Sequence, residues 1–138
     1  MIKKSLIAII ILGLFPKIVP AETNQYIEIY DIKKNEVIMK VPSDINLQKE
    51  VKKFLVGITG VNSKFRPIPN KGFMIKIPLE PVVNVENQWL NDLVVEVIII
   101  FPEQDAPCLM VFDDKNKVHF FTFKSDTEEF LSLLNFRP

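Results

Sequence analysis

The amino-acid sequence predicts an α+β domain, a mostly antiparallel sheet of about five to seven strands packed by two helices, preceded by a signal peptide. Three observations carry that expectation. Short runs with a two-residue hydrophobic period, or with almost no polar interruption, recur along much of the chain. Two segments, one after Asp44 and one after Ser125, repeat their apolar residues at helical spacing instead. Clusters of Asp, Asn, Lys, Gly and Pro punctuate the runs.

Taken in order, "YIEIYDIKKNEVIMKV" reads as two strands. Tyr26, Glu28 and Tyr30 alternate with Ile27 and Ile29, and residues 33–36 supply the turn. Ser43 or Asp44 then caps a helix whose stripe is Leu47, Val51, Phe54, Leu55 and Ile58. Lys49, Glu50, Lys52 and Lys53 fill its other face, and Gly57 stops it. Residues 57–72 hold three glycines and two prolines with no period, which predicts a long loop. Pro78 and Pro81 split the next stretch into two short extended runs and confine at least one to a sheet edge. Trp89 falls in a helical turn or at a strand end. Residues 93–101, "LVVEVIIIF", are apolar except for Glu96 and predict a central strand covered on both faces. After a reversal over residues 102–107, residues 108–112 and 118–123 form a hairpin. Ser125 and Glu128 make a capping box for a closing helix striped by Phe130, Leu131, Leu133 and Leu134.

The N-terminal "MIKKSLIAIIILGLFPKIVPAE" has a basic start at Lys3 and Lys4, an apolar run from Leu6 to Phe15, and small residues around Ala21. That is the layout of a secretory signal peptide over residues 1–21, cleaved after Ala21. The apolar run falls well short of the roughly 20 residues that span a bilayer, so no stable membrane insertion is expected after cleavage. Cleavage would leave residues 22–138 as a single α+β domain, secreted or extracytoplasmic. It would remove Lys3, Lys4 and Lys17 and no acid, shifting the balance of 17 basic and 17 acidic residues to a net charge of −3. A mildly acidic domain has no broad attraction for nucleic acid. Cys108 is the sole cysteine, so the fold is free of internal disulfides and rests on its apolar core. Arg66 and Arg137 are the only arginines among many lysines, a compositional pointer to an AT-rich bacterial genome.

Catalytic chemistry is best tested on Cys108 and His119, the single cysteine and single histidine. Hairpin register decides whether they meet. With a five-residue loop over residues 113–117, His119 faces Val111. Cys108 then lies roughly 10 Å along the ladder with its side chain on the opposite face. A four-residue loop puts both on one face but roughly 13 Å apart. A nucleophile and its base must approach to about 2.6–3.2 Å, so the two do not form a pair. Cys108 reads as a small buried hydrophobe and His119 as a strand residue. No Gly-x-Ser-x-Gly elbow is present, and one histidine with one cysteine does not make a transition-metal site. Asp113, Asp114 and Asn116 read as a turn rather than a calcium loop. "GITG" lacks the lysine of a phosphate loop. No metal or cofactor is therefore expected. Glu96 alone stands out among the acids, because it interrupts an otherwise apolar strand.

Two stretches remain as binding surfaces. In "NSKFRPIPNKG", Lys64, Arg66 and Lys71 surround Phe65, Pro67 and Ile68, a pattern suited to an anionic envelope component or an envelope protein. In "VHFFTF", Phe120 and Phe121 point to opposite faces, so both sides of that strand are apolar. The expectation is a small exported, non-catalytic binding or interaction module of the bacterial cell envelope or exterior. The alternatives are an extracytoplasmic hydrolase using carboxylates, with Glu96 involved, and a chain that keeps its N-terminus as a loose membrane tether.

Overall fold

The computed structural model describes residues 25–64 and 67–138. The expected signal peptide and its cleavage point lie outside the described residues, as do Phe65 and Arg66. The strands are β1 (Tyr26–Asp31), β2 (Glu36–Pro42), β3 (Ile58–Val61), β4 (Gly72–Glu86), β5 (Asn91–Pro102), β6 (Cys108–Asp113) and β7 (Val118–Phe123). The helices are α1 (Ile45–Val56), between β2 and β3, and α2 (Glu128–Leu134), at the end. One seven-stranded sheet runs in the order β2-β1-β4-β5-β6-β7-β3, with every neighbouring pair antiparallel. Among the described residues, the α+β architecture with a mostly antiparallel sheet and two helices is thus as the sequence indicates. None of the described helices is long and apolar enough to cross a membrane.

Both helices pack on one face of the sheet. Leu47, Val51, Phe54 and Leu55 of α1 and Phe130, Leu131 and Leu134 of α2 join Ile27, Ile29, Ile75, Ile77, Val97, Ile99 and Val111 in one buried cluster. Phe54 is its hub, meeting Phe130 edge-on at 5.6 Å and Phe123 at 5.3 Å. Such aromatic contacts add about 0.5–1.5 kcal/mol each to the burial itself. Asp44 is the residue that caps α1, accepting from the Leu47 N–H at 2.9 Å. Glu50, assigned by sequence to the polar face, is buried, with one oxygen 2.8 Å from Lys53 Nζ.

Several local expectations are corrected. Residues 57–72 are not all loop, because Ile58 leaves the helical stripe and starts β3, whose partner is β7. Residues 73–86 are not two runs but the single strand β4, and its ladder with β5 shifts between Pro78 and Val83. Pro78 and Pro81 fit because this part of β4 has a strand on one side only. Trp89 is in neither a helix nor a strand: it sits in the bend joining β4 to β5, where Asn87 Oδ1 accepts from the Trp89 and Leu90 N–H groups.

The strand over residues 93–101 is not covered on both faces throughout. A bulge between Val94 and Glu96 lets Val94 and Val97 both face the core, and it turns Leu93 and Val95 to solvent. The capping box does not form. Thr127 occupies the cap without a side-chain bond, the Ser125 hydroxyl donates to Lys53 O at 3.3 Å, and Asp126 accepts from the Glu128 N–H. Leu133 is exposed. Gly72 is required where β4 starts: its φ is +127°, and a Cβ there would lie 2.2 Å from Phe101 O.

Candidate functional site

The β6–β7 hairpin adopts the five-residue register, with Phe112 opposite Val118 and Val111 opposite His119. Cys108 pairs with Ile100 on β5, and both are buried outside the helix-side cluster. Burial pushes the Cys108 thiol up, against the pull of Asn62 and Lys64 nearby. His119 lies on the other side of the ladder, its ring stacked on Phe121 at 5.9 Å and its Nε2 3.1 Å from Asp113 Oδ2. The thiol is therefore protonated and distant from the imidazole, and its neighbours do not activate it.

Asp113 organises the hairpin turn. Its Oδ1 accepts from the Lys115 and Lys117 N–H groups, both at 2.9 Å, and Asn116 takes the left-handed conformation with φ 66°. The Lys117 N–H above all, with His119 and the Lys115 N–H, holds the Asp113 carboxyl down at about 2. Asp92 on β5 brings a third carboxylate beside Asp113 and Asp114, all within 4.8 Å. The Leu93 N–H holds Asp92 down, Asp92 in turn pushes Asp114 up, and Lys115 Nζ lies 3.3 Å from Asp92. These groups clasp β5 to the β6–β7 turn, where Asp114 N also donates to Leu93 O at 3.0 Å.

The residues singled out by sequence are not gathered in one place. Lys64 is paired with Asp105, whose carboxyl it holds down, so its charge is already met. Lys71 and Ile68 are exposed. Phe65 and Arg66 lie outside the described residues. Glu96 is half-buried on the ladder between Pro78 and Phe112. Phe121 belongs to the core, while Phe120 is half-buried on the face away from the helices, in a row with Lys76, Ile98 and Met110.

The concave feature lies elsewhere, between α1 and the second half of β4. A cavity of about 600 Å³ is lined by Asp44, Ile45, Gln48, Lys49, Lys52 and residues 80–84. A second, of about 280 Å³, continues along the same two elements past Val56 and Glu86, sharing Lys52, Val83 and Asn84 with the first. Glu96 lines neither. The groove exists because β1 separates from β4: the two pair over residues 73–76 of β4 only, while β1 stays with β2 through Tyr26. Gln48 bridges the gap. Its Nε2 donates to Pro78 O at 2.9 Å, and its Oε1 accepts from the Glu80 N–H at 3.1 Å.

The groove escapes sequence reasoning when Pro78 and Pro81 are taken to break the strand. The signal was present all the same. Phe73, Ile75, Ile77, Leu79, Val83 and Val85 keep one period of two across both prolines, which marks one strand with one core face. Comparison with protein-family models, with curated proteins and with solved structures finds no match for the chain.

Proposed function

We propose that this chain is a small exported, non-catalytic binding module of the bacterial cell envelope, and that the groove between α1 and β4 holds its ligand. The observation that supports this reading is the groove itself. Its larger cavity, about 600 Å³, is of the size that ligand sites occupy, and its walls set apolar Ile45, Pro81, Val82 and Val83 among polar and charged side chains. The basic loop of Lys64, Phe65, Arg66 and Lys71 is the second proposed contact, for an anionic envelope component. It is ranked lower because Lys64 already has a carboxylate partner.

The test is selection from a displayed random peptide library on the purified protein and on an Ile45→Arg/Val82→Arg variant. Both positions are exposed, so the fold should tolerate the change while the groove is obstructed. The expected result is an enriched family of peptides that binds the parent and is lost on the variant. Enrichment indifferent to the variant, or none above the bare support, would remove the groove as the ligand site.

A further inference from the structure

We infer that the groove takes an extended peptide as an added strand on β4, with an acidic side chain set between two apolar ones facing α1. This deepens the reading above and rests on it.

The main-chain geometry carries the first half of the inference. The Ile32 N–H donates to Gly72 O at 3.0 Å, which directs the polar groups of the even-numbered residues of β4 toward β1. Met74 and Lys76 are paired there by β1. Pro78 O and Glu80 N–H are taken by Gln48. At the other end, Asn87 N–H donates to Leu90 O at 2.9 Å, which turns Val85 and Val83 toward β5 and leaves Asn84 and Glu86 facing outward. Among the described residues, no strand pairs with this edge of β4 beyond Lys76. Gln48 thus supplies one donor and one acceptor, as the next peptide group of a strand would, and the remaining positions are free for a real one. Strand addition to an open edge is a general mode of peptide capture, with main-chain bonds giving affinity and alternate side chains giving selectivity.

The wall opposite sets the side-chain chemistry. Ile45, Lys49, Lys52 and Val56 share one stripe of α1 and line the two cavities. Ile45 and Val56 are 69% and 78% exposed, unusual for large apolar residues flanking a groove. They stand about 16 Å apart along the helix axis, which three alternate side chains of a strand, about 6.7 Å apart, nearly span. Lys49 and Lys52 lie between them and make no ion pair among the described residues. Asp44, Glu80 and Glu86 also line the groove, but Asp44 stands at the start of α1 and the two glutamates on β4, so the charged lining residues of the α1 wall between Ile45 and Val56 are Lys49 and Lys52. The outer edge of β2 is also unpaired, but none of its residues lines either cavity, so no wall there selects side chains.

Fluorescence anisotropy with a labelled Thr-Val-Thr-Glu-Thr-Val-Thr peptide tests this directly. Binding should weaken about fivefold when the peptide's Glu becomes Lys, and Lys52→Glu in the protein should reverse that preference. Asn84→Pro deletes an outward N–H without touching the β5 ladder, and it should weaken binding by about tenfold or more. N-methylation of one alternate set of peptide amides should abolish binding and methylation of the other set should spare it, a readout that stands even if Asn84→Pro fails to fold. No binding up to about 1 mM peptide, or insensitivity to both methylated forms, overturns the inference. If library-selected peptides still depend on the groove in that case, the binding-module reading survives alone. Concentration-dependent dimerisation abolished by Asn84→Pro would assign the edge to a second copy and also overturn it.

Discussion

The two halves of β4 are built from one hydrophobic pattern but sit in different surroundings. Over residues 73–76 the strand lies between β1 and β5, with Ile75 fully buried beneath it. Over residues 80–86 it has the groove on one side, with β5 paired on the other from Val83 onward, and only Val85 of that stretch is buried. Side-chain period alone does not distinguish these halves; hydrogen-bonding neighbours do. The first half is a structural member of the sheet, whereas the second is a rail whose outward polar groups await a partner.

Core truncation should separate the halves most strongly. Ile75→Ala should destabilise by about 2–5 kcal/mol, whereas Val82→Ala on the open rail should stay within about 0.5 kcal/mol, as read by urea unfolding. Equal losses at the two positions would break the contrast. At the junction, Gln48→Leu leaves Pro78 O and the Glu80 N–H without their partner. It should cost about 0.5–1.5 kcal/mol, more than Val82→Ala and less than Ile75→Ala.

The smallest effect concerns the support of the open half, which rests on β5 and, through it, on the Asp113 clasp. The folded-state pKa of Asp113, about 2, lies below its ordinary value of 3.8, so the unfolded chain takes up that proton first. The stabilisation is therefore present above pH 4 or so and is lost as pH falls from about 4 through about 2. Amide protection at Val83 and Val85 should fall in that window before protection at Ile75. Asp113→Asn should remove the dependence, and an unchanged acid profile in that variant would show the clasp does not hold the rail.

Much of this architecture was legible because neighbours in sequence create it. The β1–β2 turn, a cap at Ser43 or Asp44, the α1 stripe and the separation of Cys108 from His119, which holds in either hairpin register, each follow from spacing within a few residues. What was missed depends on distant partners. Ile58 continues the helical stripe of α1 but pairs with Phe123, a contact no local pattern reveals. Leu93 and Val95 match a buried strand in composition and are exposed only because the bulge before Glu96 reverses the alternation. The groove is the clearest case. Lys49 and Lys52 read as an ordinary solvated helix face until β1 leaves β4 and the open edge comes to lie across from them.

Residue-resolved hydrogen exchange along β4 tests the central claim, that this strand is closed in its first half and open in its second. The amides of residues 73–76 should all exchange slowly. In the second half protection should alternate, with Val83 and Val85 slow and Asn84 and Glu86 fast. Uniform protection through Glu86 in the unliganded protein would mean that the edge is already occupied, and the rail would not be a binding surface.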